Sequence, residues 1–111
     1  MVTFENFNEL QMDDEKLAEE LLNAYGAGDW QNEEIYYYED LEDFAEYELY
    51  EGWYTGWFDT EKYKPSYFNG APNPFDYIDL KELGEDLADC WDESCHYRAS
   101  TDEVLTINYV W

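Results

Sequence analysis

The 111-residue chain carries 29 Asp and Glu residues against five Lys and Arg, a formal net charge of −24. One domain spanning residues 1–111 fits this length, and a surface this negative excludes nucleic acid and anionic membranes as direct partners. Acidity alone would favour disorder, but five Trp, 12 Tyr and six Phe supply enough apolar area for a folded core.

Localisation follows from what the sequence lacks. No apolar run reaches the length of a membrane span, and Met1 to Glu5 shows neither the basic start nor the apolar stretch of a secretory signal. We therefore expect a soluble, cytoplasmic protein. Cys90 and Cys95 are too few for a disulfide framework and are expected to be free thiols.

The first predicted helix covers residues 13 to 25. Its apolar side chains recur at helical spacing on one face: Leu17, Ala18, Leu21, Leu22 and Tyr25. Asp13 or Asp14 would cap its N-terminus, and Gly26 would end it in the left-handed conformation. After a turn through Gly28, the aromatic and β-branched run from Glu34 to Tyr38 predicts a short strand.

A second helix is predicted from Asp40 to Glu51, with Gly52 as its stop. Its inward face would consist of Leu41, Phe44, Ala45 and Leu49. Residues 53 to 74 follow neither helical nor strand periodicity and are expected to form a long ordered loop, with a possible short strand around Trp57. A loop of this length in a small domain is often functional.

The third predicted helix starts at Asp79, which would act as its N-cap with Glu82 as reciprocal partner. Its buried stripe would be Leu80, Leu83, Leu87, Ala88 and Trp91. Two alternating segments, His96 to Ala99 and Val104 to Val110, predict a C-terminal hairpin. The fold class is therefore α+β: a single small domain with about three amphipathic helices, one short strand and a terminal β-hairpin.

The sequence gives little support for catalysis. With 29 acids, some pair of carboxylates always lies at a catalytic distance, and the nucleophile and phosphate-binding motifs are missing. We expect no enzyme activity and no cofactor. Zinc at Cys90, Cys95 and His96, or calcium at the acids of residues 86–93, matches no known ligand spacing, so no metal site is predicted.

The distribution of the acids is more informative. They recur three or four residues apart outside the apolar stripes, where side chains are about 5–6 Å apart at Cβ, close to the spacing of successive phosphates. The first acidic row is Glu39, Asp40, Glu42, Asp43 and Glu46. The second acidic row is Glu82, Glu85, Asp86 and Asp89. Like charges at this spacing destabilise an isolated helix, which indicates a purpose other than folding.

Comparison with duplex DNA suggests that purpose. DNA carries one charge per about 1.7 Å, so 24 charges correspond to roughly 40 Å of duplex. A salt-adapted surface is the alternative, but solubility requires far less charge. The composition thus favours a protein that presents carboxylates where a DNA-binding protein expects phosphates.

Three segments carry a family resemblance. The segment Asp76–Leu87, with its Tyr77-Ile78-Asp79 helix start and later Asp86-Leu87 pair, resembles the C-terminal part of ArdA-type antirestriction proteins. Asp40–Tyr47 is similar to the helix that precedes that part, and Glu51–Asp59 is similar to a Gly- and Trp-containing block near the start of the same proteins. The resemblance covers about residues 40–111.

The resemblance implies a function. ArdA-type proteins are elongated, dimeric DNA mimics that occupy the DNA-binding groove of type I restriction–modification enzymes. A phage- or plasmid-borne inhibitor of a host defence enzyme is therefore expected, with the two acidic rows as phosphate surrogates and a possible homodimer. A CRISPR effector, a DNA repair enzyme such as uracil-DNA glycosylase, or a nucleoid protein are alternative targets.

A hypothesis of another class also fits the sequence. The chain would be an acidic adaptor that docks into a partner's pocket through aromatic residues of the long loop. Aromatic side chains dominate interface energetics, and the candidates are Trp53, Trp57 and Tyr67.

Overall fold

A four-stranded antiparallel sheet with the order β1-β2-β4-β3 lies at the centre of the fold. The computed structural model describes residues 1–59, 62 and 68–108. The strands are β1 (Val2–Phe4), β2 (Ile35–Tyr38), β3 (His96–Arg98) and β4 (Val104–Ile107). The α-helices are α1 (Phe7–Asp13), α2 (Glu15–Tyr25), α3 (Leu41–Tyr50) and α4 (Leu80–Cys90). Short 3₁₀ helices cover Asp29–Asn32, Trp53–Gly56 and Pro74–Tyr77. The predicted α+β class is confirmed.

Alternate residues of the central strands enter two separate cores. Ile35 and Leu105 pack with α1 and α2, whereas Tyr38 and Val104 pack with α3 and α4. Since successive side chains of a strand point to opposite faces, one helix pair covers each face of the sheet. All four residues of β4 are consequently buried.

Side-chain caps begin all four α-helices of the described chain. Asn6, Asp14, Asp40 and Asp79 each accept a hydrogen bond from the backbone N–H three residues on. These caps satisfy donors that a helix N-terminus leaves unpaired, and the three carboxylates also meet the positive end of the helix dipole. Part of the acidity is therefore structural.

Several predicted bounds require correction. The helix predicted from residue 13 begins at Glu15, with Asp14 rather than Asp13 as its cap, and α1 and β1 were not predicted. The expected strand around Trp57 is wrong, because Trp57 follows a 3₁₀ helix and has right-handed helical backbone angles. The terminal hairpin is confirmed as β3 and β4, but residues 109 and 110 lie outside the described residues.

A glycine sets the close approach of α3 and α4. A methyl group at Gly84 would lie 2.5 Å from the carbonyl oxygen of Leu41 and 2.8 Å from its Cβ. The Leu41 backbone could make room for such a methyl group only if the two helices moved apart. This contact places the N-terminal turn of α3 directly against the middle of α4. The two acidic rows, which these helices carry, are therefore also brought close together.

We expect Gly84→Ala to lower the free energy of unfolding by about 1–3 kcal/mol, because the added methyl overpacks the helix contact. Helix propensity alone predicts the opposite sign, a gain of about 1 kcal/mol. Urea denaturation measures the difference. Gly56→Ala is the control, since nothing lies within 4 Å of a methyl group there. Equal stability of the Gly84 variant and the parent would contradict the close contact.

Candidate protein-binding surface

The first acidic row divides into structural and outward-facing carboxylates. Asp40 caps α3 by accepting the Asp43 N–H at 2.8 Å. Asp43 accepts the Glu39 N–H at 3.1 Å and lies 3.9 Å from the Met1 amino group. Glu39, Glu42 and Glu46 are exposed and follow one another at three- and four-residue spacing. These three therefore remain available to a partner.

The second acidic row divides in the same way. Both oxygens of Glu85 accept hydrogen bonds from the guanidinium of Arg98, each at 3.1 Å. Arg98 also lies 3.4 Å from Asp102. The other three acids of the row are exposed and repeat at four- and three-residue spacing along α4: Glu82, Asp86 and Asp89.

The two rows meet at a small cleft of about 240 Å³ where α3 and α4 touch. Its charged lining residues are Asp40, Glu42, Lys81, Glu85, Arg98 and Asp102. Two of the five basic residues of the protein thus lie between the rows, which the sequence did not predict. We call two sets of exposed acids the outward stripes: Glu39, Glu42 and Glu46 just before and on α3, and Glu82, Asp86 and Asp89 on α4.

A larger groove of about 590 Å³ extends along α3 from Glu46. We call it the acidic groove; its lining residues are Met1, Asp43, Glu46, Tyr47, Tyr50, Glu51, Asn73 and Asp76. Burial, followed by the carboxylates of Glu51 and Glu48, raises the pKa of Tyr47. Burial and Asp76 likewise raise the pKa of Tyr50. Both phenols therefore stay neutral beside the carboxylates at physiological pH.

Glu48 is an acid that the sequence reasoning missed. It is only 2% exposed, and its Oε2 accepts the Trp53 N–H at 2.9 Å. The position carried a signal, since residue 48 continues the i, i+3, i+4, i+7 stripe that starts at Leu41. The buried carboxylate fixes the chain where it leaves α3 and enters the next 3₁₀ helix.

The predicted aromatic contacts are partly described. Trp53 is 45% and Trp57 is 71% exposed, and Phe58 beside them is 42% exposed. Tyr67 lies outside the described residues. Three large apolar side chains this exposed and this close in sequence mark a second candidate surface.

The residues considered for metals have other surroundings. His96 is buried, stacks on Trp91 with ring centroids 5.2 Å apart, and its Nδ1 lies 2.9 Å from the Asp92 carbonyl oxygen. Burial lowers the pKa of His96 despite the opposing effect of Asp92. Cys90 is an exposed free thiol and Cys95 a partly buried one. Over the described ranges, no group of three or more potential ligands is placed to hold a metal ion.

The average charge per unit length of the molecule is close to that of duplex DNA. The Cα atoms extend over 49 × 23 × 22 Å, and both helix layers carry exposed acids, Glu15 and Glu19 on one side and the outward stripes on the other. A net charge of −24 over 49 Å is about 0.5 charge per Å, against about 0.6 for duplex DNA. The described residues carry the same net charge, because Glu61 and Lys64 cancel.

Comparisons with known proteins add no relative. No protein-family model, curated protein or solved structure matches this chain. The resemblance to ArdA-type proteins therefore stays a prediction. None of the helices in the described ranges is long and apolar enough to cross a bilayer.

We expect the melting temperature to rise from about 0.01 M to about 0.15 M sodium chloride, as the Debye length falls from about 30 to about 8 Å. Ion pairs within the described residues join Met1 to Asp43, Lys62 to Asp59, and Arg98 to Glu85 and Asp102. Such partly exposed pairs each contribute about 0–1 kcal/mol, so screening of repulsion should outweigh their loss.

Thermal unfolding followed by circular dichroism measures this effect. Potassium chloride at the same concentrations is the control, because screening depends on ionic strength and not on which monovalent cation is used. A melting temperature that falls over this range would show that ion pairs, rather than repulsion, dominate the electrostatics of the fold.

Proposed function

We propose that this protein is a non-catalytic DNA mimic that occupies the DNA-binding groove of a host defence enzyme. The observation that carries the proposal is the match between its linear charge density and that of duplex DNA over 49 Å. A basic groove that releases counterions from phosphates would gain similarly from these carboxylates. Affinity would be distributed over many weak contacts.

The position of the acids supports this function more than a role in solubility. Glu42 and Glu46 are exposed on α3, and the exposed Glu39 precedes the N-cap of that helix. No described basic residue pairs with them, whereas the structural acids Asp43 and Glu85 have cationic partners. A partner with basic side chains at a matching spacing could bind these unpaired carboxylates without rearranging them.

A type I restriction–modification enzyme is the first target to test, because the resemblance to ArdA-type proteins points there. A CRISPR effector or a DNA repair enzyme has the same kind of basic DNA groove and is the next candidate. Affinity purification of the tagged protein from extracts of bacteria that carry these systems would identify the target.

An acidic adaptor is the second candidate function. The observation in its favour is the exposure of Trp53 and Trp57 beside each other. An adaptor would keep its affinity when the acids are neutralised, as long as these aromatic rings remain. A mimic would lose affinity progressively.

We expect Glu39→Gln, Glu42→Gln and Glu46→Gln combined to weaken competition with labelled duplex DNA for a purified type I restriction enzyme. If each carboxylate replaces one phosphate contact, the log–log slope of affinity against salt should fall by about 0.9 per residue. Asp40, Asp43 and Glu85 are left intact because they support the fold. The measurement is a competition titration across a salt series.

The matched control removes the same charge from the opposite helix layer: Asp13→Asn, Glu15→Gln and Glu19→Gln. Equal weakening by the two variants would show that net charge matters and not this stripe. Simultaneous binding of DNA and protein to the enzyme would rule out mimicry of DNA in that groove.

A further inference from the structure

Three exposed rings form a surface patch just after α3. We call Trp53, Trp57 and Phe58 the aromatic patch. The ring centroids of the two tryptophans are 6.4 Å apart at an interplanar angle of 57°. Phe58 stacks on Tyr54 and meets the edge of the buried Phe75 at 5.9 Å. Phe58 therefore anchors the patch on the core.

Trp57 is the most exposed of the three rings. The Glu48 carboxylate holds the Trp53 N–H at 2.9 Å, which fixes the first turn of the 3₁₀ helix that carries the patch. Trp57 is nevertheless 71% exposed. Folding gains little from an indole in that position, and a backbone that is already fixed loses little conformational entropy when a partner binds.

We propose that the aromatic patch binds an arginine side chain at the rim of the partner's basic groove, with the guanidinium stacked on Trp57. This proposal rests on the proposed function, since it assigns a second contact to the same partner. Guanidinium groups stack on indole faces more often than ammonium groups do, because they are planar and more weakly hydrated.

Charge complementarity selects this occupant. The patch lies in the field of a protein of net charge −24, with Glu51 and Asp59 next to it in sequence. Lys62, 3.8 Å from Asp59, is largely exposed and can move aside. A second copy of this chain would carry the same charge and be repelled, so a cationic partner fits best.

The acidic groove borders the outward stripe of α3 and is linked to the patch through the buried Phe75. Glu46 belongs to that stripe and lines the groove, whose far side is formed by Asn73 and Asp76. Between them, Tyr50 meets Phe75 at 5.3 Å, and Phe75 meets Phe58. Tyr50 of the groove and Phe58 of the patch thus pack on the same buried ring, so the groove and the patch lie near each other.

The test uses an arginine-only and a lysine-only peptide of equal length, titrated by calorimetry into the parent, Trp57→Leu and Trp57→Phe. We expect Trp57→Leu to weaken binding of the arginine peptide about two- to thirtyfold, with the lysine peptide affected less. Trp57→Phe should restore part of the loss, because it keeps a π face. The salt slope should not change, since an indole releases no counterions.

Met12→Ala is the control, because Met12 is 89% exposed on α1, in the opposite helix layer. Unchanged arginine-peptide affinity in Trp57→Leu, or equal losses in the Leu and Phe variants, would overturn the proposal. So would sedimentation showing a dimer of the parent that Trp57→Leu dissociates, since the occupant would then be a second copy.

The DNA-competition assay separates this proposal from the proposed function. Suppose that Trp57→Leu keeps parental arginine-peptide affinity and parental inhibition, while the Glu39, Glu42 and Glu46 variant loses inhibition. The aromatic contact is then refuted and mimicry stands. If instead the parent inhibits none of the candidate enzymes but Trp57→Leu still loses arginine-peptide affinity, mimicry fails and the arginine site stands.

Discussion

Self-repulsion is the constraint on which the rest of this structure depends. A net charge of −24 opposes any compact state, so the core must bury much apolar area with few residues. The sheet meets this demand because both of its faces are covered. Ile35 and Tyr38 on one strand, and Leu105 and Val104 on its neighbour, serve two cores at once. Aromatic rings suit such a design, since each contributes about 150–250 Å² of buried area.

The same constraint decides how the acids are used. Asp14, Asp40 and Asp79 cap helices, where a negative charge is favourable. Glu20 binds the backbone and hydroxyl of Ser100 and the hydroxyl of Tyr97, joining α2 to β3 and the turn that follows it. Burial raises the pKa of Glu20, but these hydrogen bonds outweigh that effect and lower it. Acids with these hydrogen-bonding roles differ from those of the outward stripes, although Glu42 and Glu82 also lie in first helical turns, where the dipole favours a negative charge.

Helical periodicity made much of this fold predictable, because each of the three predicted helices has one apolar face and an acidic cap. Periodicity in the sequence was less informative where a strand is buried on both faces or where an element is short. The hairpin that includes Val104 to Ile107 was predicted, but its pattern did not show that β4 lies between β2 and β3 and is wholly buried. The seven residues of α1 show too few turns for a periodic signal. In the candidate site, the sequence located the acids but did not place Arg98 between the two rows. The contact of Arg98 with Glu85 joins residues 13 positions apart in different elements, which no local pattern indicates.

The ends of the helices add an argument for function. None of the four α-helices of the described chain has a basic residue in its last turn, where a cation contributes about 0.3–1 kcal/mol through the dipole. Asp89 even places an acid near the C-terminal end of α4, where the dipole is unfavourable to it. A protein under selection for stability alone would gain from lysines at such positions. Their absence, together with carboxylates kept unpaired along α3 and α4, is consistent with a surface selected for a basic partner.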